Sequence, residues 1–194
     1  RVRTDAETPA PLDSRHLRLA ALFFVLSGFA ALLYQVIWQR ILAIFSGMHI
    51  YSIAMIVTAF MAGLGFGGLL GGRIADRLAR SRAVFAFGLC ELIIGLFALV
   101  SPWLYYDLAY LRLGFLVRQT AAMPVIHLTL LIVPTFLMGA SLPLLSRGLV
   151  RETRGAARTI GVLYGMNALG SALGAFITVW VLIGALGFVG IALA

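Results

Sequence analysis

The chain has 194 residues, of which 62% are hydrophobic and only 11% are charged, and its mean hydropathy is +1.03. A water-soluble domain of this length does not need so much apolar surface, so the composition excludes an ordinary soluble fold and predicts a helical integral membrane protein. The formal net charge of +8 does not indicate nucleic-acid binding, because the basic residues, all of them arginine, flank apolar segments instead of forming one face.

The chain begins with a polar segment and then becomes apolar. Residues 1–16 contain two prolines and charges of both signs, and they are predicted to form a solvated N-terminal tail. Residues 17–38 are long enough, as a helix, to cross a hydrocarbon layer about 30 Å thick. The apolar periodicity continues through Phe45 and ends at Gly47, which predicts a long or bent first helix.

The second predicted span, residues 51–72, carries glycines at four-residue intervals. Gly63, Gly67 and Gly71 therefore share one side of a helix. In water, each interior glycine would cost about 0.5–1 kcal/mol of helix stability relative to alanine. In a bilayer, small residues at this spacing allow two helices to approach closely. The glycine row predicts that this helix packs tightly against a neighbour.

The later spans carry their own markers. Pro134 and Pro143 are predicted to break the fourth span, and Gly170 and Gly174 repeat the small-residue spacing in the fifth. Residues 103–118 place leucine and phenylalanine on one helical face and charges off it, which is typical of an interfacial helix. The third, fourth and fifth spans are predicted at about residues 83–101, 125–145 and 159–183, and an incomplete sixth at 188–194. The predicted fold is an all-α membrane bundle.

The arginines predict the orientation of this bundle. Twelve of them fall on the side that holds the N-terminus and the loops near residues 73–82 and 147–158, against three on the other side. The positive-inside rule therefore places the N-terminus in the cytoplasm. Trp38, Trp103 and Trp180 then fall at the outer interface, where an aromatic belt is expected.

Glu91 is the one acidic residue that the sequence places deep inside a span. It lies nine residues from Arg82, about 13 Å along a helix, and Asn167 is expected at a similar depth. Because a charge at this depth is costly, we expect Glu91 to face a cavity or a partner and to bind substrate together with Asn167. The alternative is a protonated Glu91 that is hydrogen-bonded to a neighbouring helix. Gln35, near the outer end, could line a vestibule or cap a helix end.

No catalytic or metal-binding motif is present. Cys90 is the only cysteine and the three histidines are far apart in sequence, so neither a disulfide nor a metal site is expected, and no cofactor is implied. Nucleotide-binding and hydrolase fingerprints are also absent. Any catalytic activity would therefore lie in a domain beyond residue 194.

The junction of the second and third spans resembles the signature loop of the major facilitator superfamily, roughly G-x-x-x-D-R-x-x-R-R. Gly72, Asp76, Arg77 and Arg80 match it, whereas alanine stands at position 79, where a glycine is often found. The resemblance implies a half bundle built from two inverted repeats, with these residues forming a cytoplasmic gate. The alternative is that the arginines only satisfy the positive-inside rule, which leaves Asp76 unexplained.

A narrower resemblance covers nearly the whole chain, through residues 27–42, 60–65, 72–77, 134–145 and 163–175. These segments resemble bacterial inner-membrane proteins in which a facilitator-like bundle is fused to a spermidine synthase domain, a family that usually has glutamate where this chain has Gln35. The resemblance implies a membrane domain that anchors the synthase and passes polyamine or a related small cation. The alternatives are half of a secondary transporter and an accessory subunit of a larger membrane complex.

The orientation can be tested by labelling. Cysteines introduced at Ser81 and Thr153 should react only with a reagent on the cytoplasmic side, and one at Gln119 only from outside, because of the twelve-to-three arginine bias. Impermeant maleimide labelling of intact and permeabilised cells measures this. The reversed pattern would contradict the facilitator assignment.

Overall fold

The described part of this computed structural model comprises residues 14–46, 50–104, 123–150, 153–182 and 184–185. These residues are almost entirely helical, and five of their helices are long and apolar enough to cross a membrane. The all-helical, multi-pass class predicted from the sequence is confirmed to that extent. The predicted incomplete sixth span, most of the interfacial helix and residues 1–13 of the tail lie outside the described residues. The helices are α1 Ser14–Ser46, α2 Ile50–Arg77, α3 Arg80–Trp103, α4 Met123–Leu149 and α5 Thr153–Ile177, which continues into a π-helical turn at Thr178–Leu182.

The helices extend beyond the spans that hydropathy predicts. The sequence predicts a basic loop over residues 73–82, but α2 continues to Arg77 and α3 begins at Arg80, so only Leu78 and Ala79 separate them. Arginine, alanine and leucine are good helix formers and no glycine or proline interrupts residues 73–82, so the helices need not end where the apolar run ends. Hydropathy locates the apolar part of each helix rather than its ends.

Helix α4 is continuous through both of its prolines, which corrects the prediction that they break it. Pro134 is buried, and the Thr135 hydroxyl next to it donates a hydrogen bond of 2.7 Å to the Leu131 carbonyl. Apolar surroundings that offer no water to free backbone groups favour a continuous helix even around proline. The helix continues through Pro143 as well.

Helices α2 and α4 approach closely through glycine. A Cβ atom added to Gly67 would overlap the Phe136 carbonyl group, and one added to Gly71 would lie 2.7 Å from the Ala140 Cα atom. Gly139 contributes from the other side, because its Cα faces the backbone of α2. Gly63 lies against the Thr135 side chain in the same contact. The whole glycine row of α2 thus faces α4.

Helices α1 and α5 form a second close pair. Gly170 of α5 lies against the Val25 carbonyl of α1, and Gly174 lies against the Phe29 carbonyl one turn further on. Gly28 of α1 lies against the Asn167 carbonyl of α5. No larger residue could occupy these positions of α5 at the same distance between the helix axes. Both predicted glycine rows therefore lie at helix–helix contacts.

The two close pairs repeat one register. Gly67 of α2 faces the Phe136 carbonyl of α4. Gly139, three residues after Phe136, faces the carbonyl of Leu64, which lies three residues before Gly67. The same spacing occurs between α5 and α1. Gly170 of α5 faces the Val25 carbonyl of α1, and Gly28, three residues after Val25, faces the carbonyl of Asn167, three residues before Gly170. Since α1 and α4 run in opposite directions across the bundle, the two pairs are related by an inversion of direction.

Helix α3 is attached to the bundle through both α4 and α1. Trp38 of α1 is only 1% exposed; its indole N–H donates a hydrogen bond of 3.0 Å to the Ser101 hydroxyl, and its ring meets Phe97 edge to face. The sequence predicts Trp38 at the outer interface, in an aromatic belt; the structure shows that its side chain is buried and that its indole N–H has a partner inside the protein. Trp103 and Trp180 are exposed, at 52% and 73%.

The glycine contact can be tested with a matched pair of substitutions. Gly67→Leu should lower the free energy of unfolding by about 1–3 kcal/mol or more, because the side chain would overlap the backbone of α4. Gly65→Leu is the control, since an added Cβ there meets nothing within 4 Å. Thermal melting in detergent measures both, and equal melting of the two variants would contradict the contact.

Candidate functional site

The described arginines gather at one end of the bundle, with Arg40 as the exception. Helices α1, α3 and α5 begin there, and α2 and α4 end there. The Arg147 guanidinium donates a hydrogen bond of 3.3 Å to the Leu78 carbonyl, which ties the end of α4 to the turn between α2 and α3. We call this the arginine end; its residues are Arg18, Arg73, Arg77, Arg80, Arg82, Arg147 and Arg158.

Glu91 lies inside the bundle and is held by serines from two other helices. The Ser27 hydroxyl of α1 lies 3.0 Å from each carboxylate oxygen and donates to them. The Ser141 hydroxyl of α4 lies 3.0 Å from Glu91 Oε1, and also 3.1 Å from the Leu137 carbonyl one turn back on its own helix. We call Glu91, Ser27 and Ser141 the Glu91 cluster; it joins α1, α3 and α4 through one carboxyl group.

The partners of Glu91 follow from its depth. It lies about three turns from the arginine end of α3, too deep for its short side chain to reach water along the helix. A carboxyl group there requires hydrogen-bond donors from the protein, and hydroxyl groups supply them without adding charge. The sequence identifies Glu91 but not Ser27 or Ser141, because serine is also an ordinary residue of membrane helices and the sequence does not indicate which helix lies opposite.

A cavity of about 730 Å³ adjoins this cluster, and we call it the Glu91 cavity. It lies between α1 and α3, with the arginine end of α4 as a third wall. Leu19, Val84 and Leu149 line it near the arginine end, while Ala30 and Glu91 line its inner part. Apart from Glu91 and Ser27 its lining is apolar, so the carboxyl group is the one strong polar feature of this wall.

A second groove of about 1020 Å³ runs between α2 and α5 across α4. Gly72 and Asp76 line it at the arginine end, and Asn167 lines it further in. Ser146 also lines it; this side chain is buried, and its hydroxyl has no hydrogen-bond partner among the described residues. Two glycines and four alanines contribute to the remaining lining, together with larger side chains such as Leu64, Met138 and Tyr164.

The structure separates residues that the sequence would group. Glu91 lines the Glu91 cavity, whereas Asn167 lines the second groove and packs its side chain against Gly28. Gln35 is half-buried on α1 and does not belong to the lining of either cavity. Of the matched gate residues, Asp76 is exposed at the mouth of the second groove. The predicted substrate residues therefore do not form one site in the described part of the chain.

Arg77 and Arg80, the other charged members of the gate motif, are exposed at the arginine end.

Comparisons with protein-family models, with curated proteins and with solved structures find no match. The fold and cavities define a multi-pass helical protein with a carboxyl group held inside the bundle. What the protein does must be inferred from the chemistry of its own residues.

The Glu91 cluster can be tested by removing its donors. Ser27→Ala and Ser141→Ala should each lower the free energy of unfolding by about 1 kcal/mol, because each removes a hydroxyl hydrogen bond to Glu91. Thr58→Ala is the control, since that exposed hydroxyl bonds only to the Ala54 carbonyl of its own helix. In a Glu91→Ala background, which removes the acceptor, the two serine effects should shrink, and undiminished effects would show that they do not act through Glu91.

Proposed function

We propose that this chain is the membrane domain of a fused facilitator/spermidine-synthase-like protein of the bacterial inner membrane. In this proposal the bundle anchors the synthase part and binds a small organic cation, a polyamine or a related amine, at Glu91. The observation that carries the proposal is the Glu91 carboxyl group, fixed by Ser27 and Ser141 on the wall of the Glu91 cavity.

The chemistry of this wall favours a cation. Attraction between a carboxylate and an ammonium group is several times stronger in a partly apolar cavity than in water, because the surroundings screen it less. The two serine hydroxyls hold the carboxyl group in one orientation, so little ordering is required when a ligand binds. A volume of about 730 Å³ falls within the range of small-molecule sites.

The resemblance to the facilitator loop supports the proposed orientation of the bundle in the membrane. The motif residues Gly72 and Asp76 lie where α2 reaches the arginine end, which is the position that a cytoplasmic gate requires. The positive-inside rule then places this end, and the outer part of the Glu91 cavity, on the cytoplasmic side. Any aminopropyl transfer belongs to the synthase part, outside this chain, and the bundle supplies only anchoring and cation binding.

The second groove favours another candidate, half of a facilitator-type secondary transporter. Glycine and alanine form part of its lining between α2 and α5, and helices of a second bundle half could pack closely at those positions. The buried Ser146 hydroxyl and the exposed Asp76 carboxylate would then find partners on that second half. Intact protein with six further spans would favour this candidate over the synthase fusion.

Cation binding is tested by one isosteric substitution. Glu91→Gln keeps the shape of the side chain and removes its charge, so the unliganded melting temperature should change little. At least one of hexylamine, 1,6-diaminohexane and spermidine should raise the melting temperature of the wild-type protein. At a ligand concentration a hundred times Kd, binding should add about 2.7 kcal/mol to the free energy of unfolding. The substituted protein should show no such rise.

Asn167→Ala distinguishes the two cavities in the same assay. If cations bind at Glu91, this variant should keep the response, because Asn167 lines the other groove. A response that depends on Asn167 and not on Glu91 would move the site to the second groove. If no cation stabilises the wild-type protein, the accessory-subunit interpretation would replace cation binding.

A further inference from the structure

The Glu91 cavity offers one site for positive charge. The described part of the chain contains two acidic residues, Glu91 and Asp76, and Asp76 lines the second groove. The Ser27 hydroxyl is the other polar group of the lining, and it already donates to Glu91. Among the described residues, a second ammonium group inside this cavity would therefore find no carboxylate to pair with.

The rest of the cavity is apolar along its length. On α1 the lining extends from Leu19 to Ala30, which corresponds to roughly 16 Å of helix. Phe23, Leu26 and Phe87 contribute to this wall, so a ligand that reaches Glu91 lies against hydrocarbon for most of its length. Such a wall stabilises an apolar body and penalises an unpaired charge.

The arginine end opposes a second positive charge as well. Leu19, which lines the cavity there, is the chain neighbour of Arg18, and that arginine is exposed. Arg80, the first residue of α3, lies one turn before the lining residue Val84 and is exposed as well. A linear polyamine with one ammonium group at Glu91 would place its other charges against hydrocarbon or close to these arginines, and both positions are unfavourable.

We propose that the ligand of the Glu91 cavity is an organic cation with a single positive charge and an apolar body, and that polyamines are poor ligands there. This inference rests on the proposed cation binding at Glu91 and narrows its substrate class. The ammonium group pairs with the Glu91 carboxylate, and the hydrocarbon part lies along α1 and α3 toward the arginine end.

A set of probes of equal length separates charge from hydrophobicity. Hexylamine carries one charge, 1,6-diaminohexane carries two and hexan-1-ol carries none, and spermidine represents the polyamines. Binding to the intact protein in lipid nanodiscs, measured by calorimetry, should give a Kd for hexylamine at least about tenfold lower than for 1,6-diaminohexane or spermidine. Hexan-1-ol should bind no more strongly than it does to empty nanodiscs.

Two variants of α3 test whether the cavity holds the apolar body. Gly88 lines the cavity and Gly95 does not, and a Cβ added to either glycine meets nothing within 4 Å. Gly88→Leu should weaken hexylamine binding by about tenfold or more, because leucine would occupy the space of the ligand. Gly95→Leu should leave that Kd unchanged, and both variants should melt close to the wild-type temperature.

The outcomes distinguish the inference from the function on which it rests. If the diamine or spermidine binds as tightly as hexylamine and only with Glu91 present, the single-charge inference is wrong while cation binding stands. If no probe binds, both fail. If hexylamine binds equally to Glu91→Gln, or if Gly88→Leu binds it like the wild type, the ligand lies elsewhere or another helix of the protein fills the cavity, and the inference is overturned.

Discussion

The arrangement of this bundle depends on backbone-to-backbone contact at glycine. Among lipid chains, helices gain little from burying apolar side chains against one another, so close van der Waals packing has to hold them together. Gly67 and Gly71 allow α2 to lie against α4, and Gly170 and Gly174 do the same for α5 and α1. These two pairs fix the positions of α1 and α4, which are the helices that supply the hydroxyl groups around Glu91.

The Glu91 cluster is a consequence of that placement. A carboxyl group in the middle of an apolar helix is unfavourable unless nearby groups donate to it, and Ser27 and Ser141 come from the two helices that the glycine contacts position. One charge-bearing side chain thereby holds three helices together. The same arrangement leaves its carboxyl group on a cavity wall, so a structural contact and the proposed cation-binding group coincide in one residue.

The two cavities divide the polar residues of the bundle into separate sets. The Glu91 cavity combines a single carboxyl group with apolar walls, which suits a ligand with one charge and an apolar body. The second groove combines small residues with Asp76, Asn167 and the Ser146 hydroxyl, which has no partner among the described residues, and this suits a packed partner with polar groups of its own. The proposed cation binding and the proposed assembly with another bundle half therefore involve different faces and can be tested independently.

Sequence patterns determine the features that depend on neighbours along one helix. Hydropathy identifies the five long apolar helices, arginine spacing marks one end of the bundle, and the four-residue glycine period predicts which side of α2 is in contact. Glu91 also follows from the sequence, because an acid in an apolar run is unusual whatever surrounds it. Each of these inferences needs only the period of a helix and the chemistry of its own side chains.

Tertiary structure decides what lies across the contact. Helical period gives the face of a residue but not the helix opposite, so Ser27 and Ser141 could not be assigned to Glu91, and Asn167 could not be separated from it. The sequence assigns Trp38 to an aromatic belt by its depth alone, and only the structure shows that its indole N–H is bonded to Ser101 of α3 inside the bundle. Pro143 was predicted to break α4, and the helix continues because an apolar environment favours internal hydrogen bonding over a break.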